Sequence, residues 1–327
     1  METPTAPSAA AADPAWSLLE DNGIDRSWLN ETLNRAGFEG RLAAVDATLV
    51  GTGQVGENVR CRLRWGNDRA MAGDPTGGDR PDSVIIKLAS SNAMSRAAAE
   101  ATRTYIREVG FYRDLASSVA IRVPAVHHVS EDRAANRFVL VMEDISPSEA
   151  GDQLAGCSPE RAELAVEAAA DLHGSTWGRE DLTDFDWIDD ISEDKIAERA
   201  ELFDLVYPGF VDRYRHRLDR ETLAFGEWLA ARFERWIIAR PEPQCLVHGD
   251  FRLDNLLFGL GDPAPPLTTV DWQTVGLGGA LSDVAYLLSG SLDRTTQRAL
   301  ESELLAAYRR RLAGHGVVMA GDQAWSE

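Results

Sequence analysis

Lysine is nearly absent from this chain: of its 33 basic residues only Lys87 and Lys195 are lysines. Against so much arginine, a lysine inside an apolar strand carries information. Cysteine is also scarce. Cys61, Cys157 and Cys245 form no CxxC or Cys/His metal spacing, which excludes a disulfide scaffold, and an odd, sparse count fits a reducing cytoplasm. Long apolar runs are missing. The longest, such as Phe138–Met142 and Val84–Ile86, are strand-sized and far short of the ~18–20 residues that cross a bilayer. An excess of positive charge is missing too: 33 basic residues against 53 acidic ones give −20, a surface that repels phosphate backbones and anionic membranes. Neither nucleic acid nor membrane is therefore an expected partner. The opening METPTAPSAAAADPAW lacks a basic region and an apolar core, so residues 1–15 read as a disordered tail rather than a signal peptide.

What is present is the balance of a soluble globular protein, 44% hydrophobic and 26% charged. At 327 residues the chain exceeds one core of ~150, so two lobes are expected. Ser27–Ala36 reads as a short helix with Trp28, Leu29 and Leu33 on one side. Val59, Cys61, Leu63 and Trp65 alternate with Arg60, Arg62 and Arg64, the period of a strand with one buried face. A polar loop (66–82) and a second strand (83–90) follow. Residues 93–116 read as one helix, with Tyr105, Val109, Tyr112 and Ala116 along its apolar stripe. Residues 137–146 form a buried strand that stops at Pro147. Beyond it the texture is helical. Ser158-Pro159-Glu160 opens a helix to about Trp177, and further helices cover about 192–217, 219–240 and 294–313, with short apolar pieces at CLVHGDF and TTVDW between them. The fold class is α+β in two lobes: an N-lobe over 16–142, a hinge at 143–147 and a C-lobe from 148 to 327.

Three signals carry chemistry. Gly51, Gly53 and Gly56 form a GxGxxG that leads into a strand, not into the helix a dinucleotide-binding turn requires. Strand, glycine loop and strand can cover a nucleotide's phosphates, or can be an ordinary hairpin. Lys87, within Val84-Ile-Ile-Lys-Leu, is costly there unless paired; its partner would be Glu108 or, alternatively, Glu100. The plain alternative is a solvent-facing lysine. The most specific signal is His248-Gly-Asp250-Phe-Arg-Leu-Asp-Asn255, flanked by apolar residues and followed sixteen positions later by Asp271 at the end of a short strand. An Asp that takes a hydroxyl proton, an Asn five residues on and a later Asp, both of which hold Mg²⁺, form a phosphoryl-transfer set. A hydrolytic metal site would need more histidines in ligand spacing, and the six histidines form no HxH or HExxH. His248 then braces the loop, and His173 reads as a packed structural histidine.

These motifs resemble the aminoglycoside/choline phosphotransferase superfamily, the small-molecule branch of the protein-kinase-like fold. HGDFRLDNLLF and VDWQTVGLGGALSDVAYLL look closest to ecdysteroid-kinase-like proteins and uncharacterised bacterial phosphotransferases, and the likeness runs in order over roughly 45–313. The resemblance implies that Lys87 contacts nucleotide phosphate and pairs with Glu108, and that the backbone near Glu143–Ile145 receives the purine. It also implies that Asp250 is the catalytic base, that Asn255 and Asp271 hold Mg²⁺, and that Asp283 braces the catalytic loop. ATP or GTP would be the donor and a small-molecule hydroxyl the acceptor. An antibiotic-inactivating kinase and a nucleotide-binding pseudokinase are the alternatives. Asp271 is followed by Trp-Gln, and there is no activation-loop APE motif, so control by activation-loop phosphorylation is not expected. Ten acids over 180–201 could attract a cationic acceptor or simply form a solvated face. Family members usually carry further helices beyond a point like Trp325. The chain is therefore expected to be either a naturally shorter form or one that stops before such a helix.

Overall fold

The computed structural model describes residues 24–51, 55–66, 80–189, 193–239 and 244–319. Gly53, most of the 66–82 loop, the 1–15 tail and Trp325 lie outside the described residues. Helix α1 (Arg26–Arg35) is started by Asp25, whose carboxylate accepts from the Ser27 and Trp28 amides at 2.7 and 3.2 Å. Strands β1 (Leu42–Val50), β2 (Gly56–Trp65), β3 (Ser83–Ala89), β4 (Val126–Asp132) and β5 (Arg137–Glu143) form one antiparallel sheet in the order β1-β2-β3-β5-β4.

Alternation gives this sheet two different faces. Cys61, Leu63, Val84, Ile86, Leu88, Val139 and Val141 form one buried cluster with Trp28, Leu29 and Leu33 of α1. Phe138, Leu140 and Met142 belong to the main core of the protein, on the opposite face. Lys87 is in register with Asn58 and Leu140, so it shares that second face.

The helix expected over 93–116 is two helices. Helix α2 (Ala93–Ala101) ends before Arg103, which adopts φ 55°, and α3 (Thr104–Gly110) restarts the chain and runs on into a π turn at Phe111–Leu115. Arg103 is held in the left-handed region by distant partners: its guanidinium donates to Asp189 Oδ1 at 2.6 Å and to the Asp186 carbonyl.

After β5 come the short strand β6 (Ser148–Ala150) and helix α4 (Pro159–Thr176), N-capped by Ser158 as expected. Helix α5 (Glu193–Tyr214) follows, and the run expected over 219–240 divides into α6 (Arg220–Ala230) and α7 (Phe233–Ile238). Strands β7 (Cys245–Val247), β8 (Leu256–Gly259), β9 (Leu267–Thr269) and β10 (Gly276–Gly278) make two small sheets, β10-β7 and β6-β8-β9. Helices α8 (Leu281–Ser291) and α9 (Arg294–Gly314) close the lobe, with Ala165, Ala169, Leu304 and Tyr308 in the core. No helix of the described residues is long and apolar enough to cross a membrane.

Candidate active site

Lys87 is where the two lobes meet. Its Nζ donates to Glu108 Oε1 of α3 at 2.5 Å and to Asp271 Oδ1 at 3.1 Å. The Lys87 and Glu108 side chains are 6% and 1% exposed, so this is a buried pair and not a surface one. Burial alone would push the Lys87 ammonium down, but the two carboxylates outweigh it and hold it above the ordinary lysine value. Burial pushes Glu108 up while Lys87 pulls it back, and its second oxygen, Oε2, is buried without a hydrogen-bond partner among the described residues. Glu100 sits exposed on α2, so the structure places Glu108, and not Glu100, beside the lysine.

Gly56, the third glycine of the motif, lies beside this pair. A Cβ on Gly56 would lie 3.1 Å from the Leu88 carbonyl and 3.5 Å from Lys87 Cε, so the third glycine leaves space that the lysine stem borders. Gly51 takes φ 75° at the start of the turn. The Tyr105 hydroxyl bonds to the Val55 carbonyl and accepts from the Ser90 amide at 3.0 Å, which ties the end of the turn to α3.

The loop after β7 is braced from below. Buried Asp283 of α8 accepts the His248 and Gly249 amides at 2.7 and 2.9 Å, and His173 Nε2 lies 3.3 Å from it. Burial would raise the Asp283 carboxyl, but these donors outweigh it and hold it below the usual value. His173 Nδ1 lies 2.9 Å from the Tyr308 hydroxyl, so this histidine is a packed support. His248 Nε2 lies 3.1 Å from the Val270 carbonyl, and its Nδ1 accepts the Asp250 amide at 3.3 Å. Gly249 takes φ 78°, and a Cβ there would sit 2.6 Å from the Thr274 carbonyl; only glycine allows this turn.

Asp250 emerges from the braced loop with its Oδ2 accepting Asn255 Nδ2 at 3.0 Å and Arg252 Nε at 3.1 Å. Asn255 Nδ2 also donates to the Asp250 carbonyl at 2.9 Å, so its amide nitrogen is committed to Asp250 through two bonds. The Val270 amide donates to the Asn255 carbonyl at 3.0 Å, which puts Asn255 and Asp271 at the same end of the β8–β9 hairpin. Asp271 adopts φ 67°, a costly conformation for a non-glycine residue that directs its carboxylate to Lys87. Burial would raise Asp271, but Lys87, His248 and Arg252 hold it below the usual carboxylate range.

The next residue fixes α3 to this point. The Trp272 ring is buried and stacks on Phe111 of the π turn, with centroids 3.8 Å apart and planes at 9°. The residue after Asp271 is thereby packed against the helix that carries Glu108. Trp272→Ala is expected to cost about 3–5 kcal/mol of stability, the usual cost of emptying a buried tryptophan site. Urea unfolding measures it, and a loss below about 1 kcal/mol would show that the stack is not a structural joint.

At the hinge, Glu143 accepts bonds from Arg122 at 2.6 and 2.7 Å, and its amide donates to the Ala125 carbonyl at 2.8 Å. Asp144 accepts from Arg60 Nε and Nη2 at 2.8 and 2.9 Å and from the Ser83 hydroxyl at 2.6 Å, which ties β2 and β3 to the segment after β5. The Ile145 carbonyl accepts from Ser148 Oγ at 2.5 Å. Tyr105, Arg252 and Asp144 were not foreseen as site residues. Arg252 sat inside the HGD loop in plain view, whereas Tyr105 and Asp144 matter only through partners distant in sequence.

The model of the phosphotransferase enzyme family matches residues 65–320. The chain belongs to this family. Its members in solved structures share the fold with it at low identity. The gentamicin complex of APH(2″)-IIa is 17% identical with a TM-score of 0.50, covering 88% of this chain and 86% of that one. The GDP complex of a mutant aminoglycoside 2′-phosphotransferase-IIIa is 16% identical with a TM-score of 0.50, covering 89% and 84%. One curated relative, acyl-CoA dehydrogenase family member 10 of Mus musculus, is 43% identical over 58 residues, which is 17% of this chain and 5% of the mouse protein. The fold of this phosphotransferase is the α+β, two-lobed kinase-like fold.

Proposed function

We propose that this phosphotransferase moves the γ-phosphoryl group of ATP or GTP to a hydroxyl of a small molecule. The observation that carries this reading is the Lys87–Glu108–Asp271 cluster, which joins the two lobes beside the braced Asp250 loop. Lys87 binds donor phosphate beside Gly56, and the hinge backbone around Glu143 and Ile145 receives the purine. Asp250 orients the acceptor hydroxyl and takes its proton. His248 and Asp283 hold the loop that presents it.

No cluster of three or more His, Cys, Asp or Glu side chains suited to a metal occurs among the described residues. The donors present are the free Asn255 oxygen and the Asp271 carboxylate. This small all-oxygen set fits Mg²⁺, which keeps waters and phosphate oxygens for its remaining positions. Bound there, Mg²⁺ would neutralise charge on the donor's phosphates. The free cysteines Cys61, Cys157 and Cys245 fit a cytoplasmic location.

The test is thermal melting with nucleotide. Mg-ATP or Mg-GTP at about 100 times its Kd should stabilise the fold by about 2.7 kcal/mol, with a much smaller effect without Mg²⁺. If the folded protein shows no shift with any nucleotide, the reading is wrong.

A further inference from the structure

Helices α5, α6 and α7 carry aromatic rings that the core of the protein does not cover. Among their described residues only Ile196 and Ile237 are buried, and α6 buries none. The rings nevertheless form a continuous run. Along α5, Phe203, Tyr207, Phe210 and Tyr214 recur at i, i+4, i+7 and i+11, so they share one face. Their successive centroids lie 5.4, 6.4 and 5.1 Å apart. The run passes to α7 where Phe203 stacks on Phe233 at 4.0 Å, and Phe233 meets Trp236 at 5.7 Å. A Cβ on Gly226 would collide with the Tyr207 hydroxyl, so α6, with its exposed Phe225 and Trp228, adjoins the same run. Phe210 is 48% and Trp236 63% exposed.

A second copy of the chain fits this surface in charge and in area. Copies at −20 repel one another, so contact costs least where the local charge is balanced. Over 212–235 six arginines stand against five acids. Such a mixed rim lets a two-fold related copy set arginine against acid on both sides of the axis. The same balance disfavours an anionic membrane, which draws on a cationic rim. The six rings of the run, Val206 on the same face of α5 and the two rings of α6 expose roughly 80–100 Å² apiece, about half of what a buried aromatic side chain covers. Together they offer roughly 800 Å², the share of each partner in a standard interface and more than the apolar patch of an ordinary monomer. Aromatic residues are also the type enriched where proteins meet.

We propose that α5 and α7 form the interface of a symmetric homodimer, with the Phe203–Tyr214 face of one copy packed against the same face of the other.

Sedimentation equilibrium of the full chain over a dilution series tests this. Wild type should run at twice the chain mass when concentrated and dissociate on dilution. Phe210→Glu and Trp236→Glu each place a carboxylate in the interface, and each should raise the dimer Kd by about 30-fold or more, the effect of a hot-spot residue. Both side chains are about half-exposed in the single chain, so the fold should survive, and circular dichroism checks that it does. Val206→Asp serves if either variant fails to fold. Leu205, 77% exposed, stands two residues from both Phe203 and Tyr207 and so on the other side of α5. Leu205→Glu should leave the Kd unchanged. A wild type that stays monomeric at every concentration overturns the proposal and leaves the rings to another occupant, such as an apolar acceptor. A dimer that survives both folded ring variants overturns it as well. So does a Leu205→Glu variant that dissociates as strongly as they do.

Discussion

Asp250→Asn is expected to lower phosphoryl transfer by about 10²–10⁴-fold, the usual effect of losing a general base, with Mg-ATP binding nearly unchanged. The reason is position. Asp250 is held by Asn255 and Arg252 on the loop braced by Asp283, whereas the contact with Lys87 is made by Asp271. Asp271→Asn should therefore behave differently. It removes a carboxylate from both Lys87 and the proposed metal, so Mg-ATP affinity itself should fall. Each substitution is nearly isosteric and removes one charge, which makes the comparison one of role and not of size. Calorimetry with Mg-ATP reads binding, and turnover of an acceptor found by an ATP-consumption screen reads catalysis. If Asp250→Asn lost the nucleotide while Asp271→Asn kept it, the two roles would be exchanged.

Lys87→Ala should have the second large effect, on stability and nucleotide binding together. It leaves the Glu108 carboxyl buried without its cation, and breaking a buried pair from one side costs about 3–5 kcal/mol. The double change Lys87→Met with Glu108→Leu removes both charges and should return most of the lost stability, because an apolar pair pays no desolvation. It should not return nucleotide binding. Lys87→Arg should also impair activity, since a larger planar guanidinium does not replace a compact ammonium beneath Gly56. Urea unfolding and Mg-ATP titration of the three variants check this. A double variant that binds nucleotide like wild type would show that Lys87 serves the fold alone.

Much of the site was legible because its signals are short-range. The buried Lys87 showed in a run of apolar neighbours, and Asp250, Asn255 and Asp271 showed in a spacing set by one loop and one hairpin. The alternation over Val59–Trp65 foretold β2, and Ser158-Pro159 foretold the start of α4. Strand β4 was not foreseen. It is an edge strand of the sequence VHHVSED, partly buried throughout, so it lacks the alternation that a one-sided strand displays.

The chain's own order of residues determined the α+β class, the strand lysine and the HGD loop, since each rests on periodicity or on spacing within a few residues. Tertiary structure alone decided which carboxylate meets Lys87. Glu100 and Glu108 stand on one helical run in the sequence, but Arg103 takes a left-handed turn between them, held by Asp189, 86 positions away. That break separates α2 from α3, with Glu100 left exposed and Glu108 buried against the lysine. Tertiary structure also decided that Trp272 would anchor α3 through Phe111 and that Asp283 would brace the HGD loop. These contacts join residues far apart in the chain, and no local pattern encodes a partner that only folding brings near.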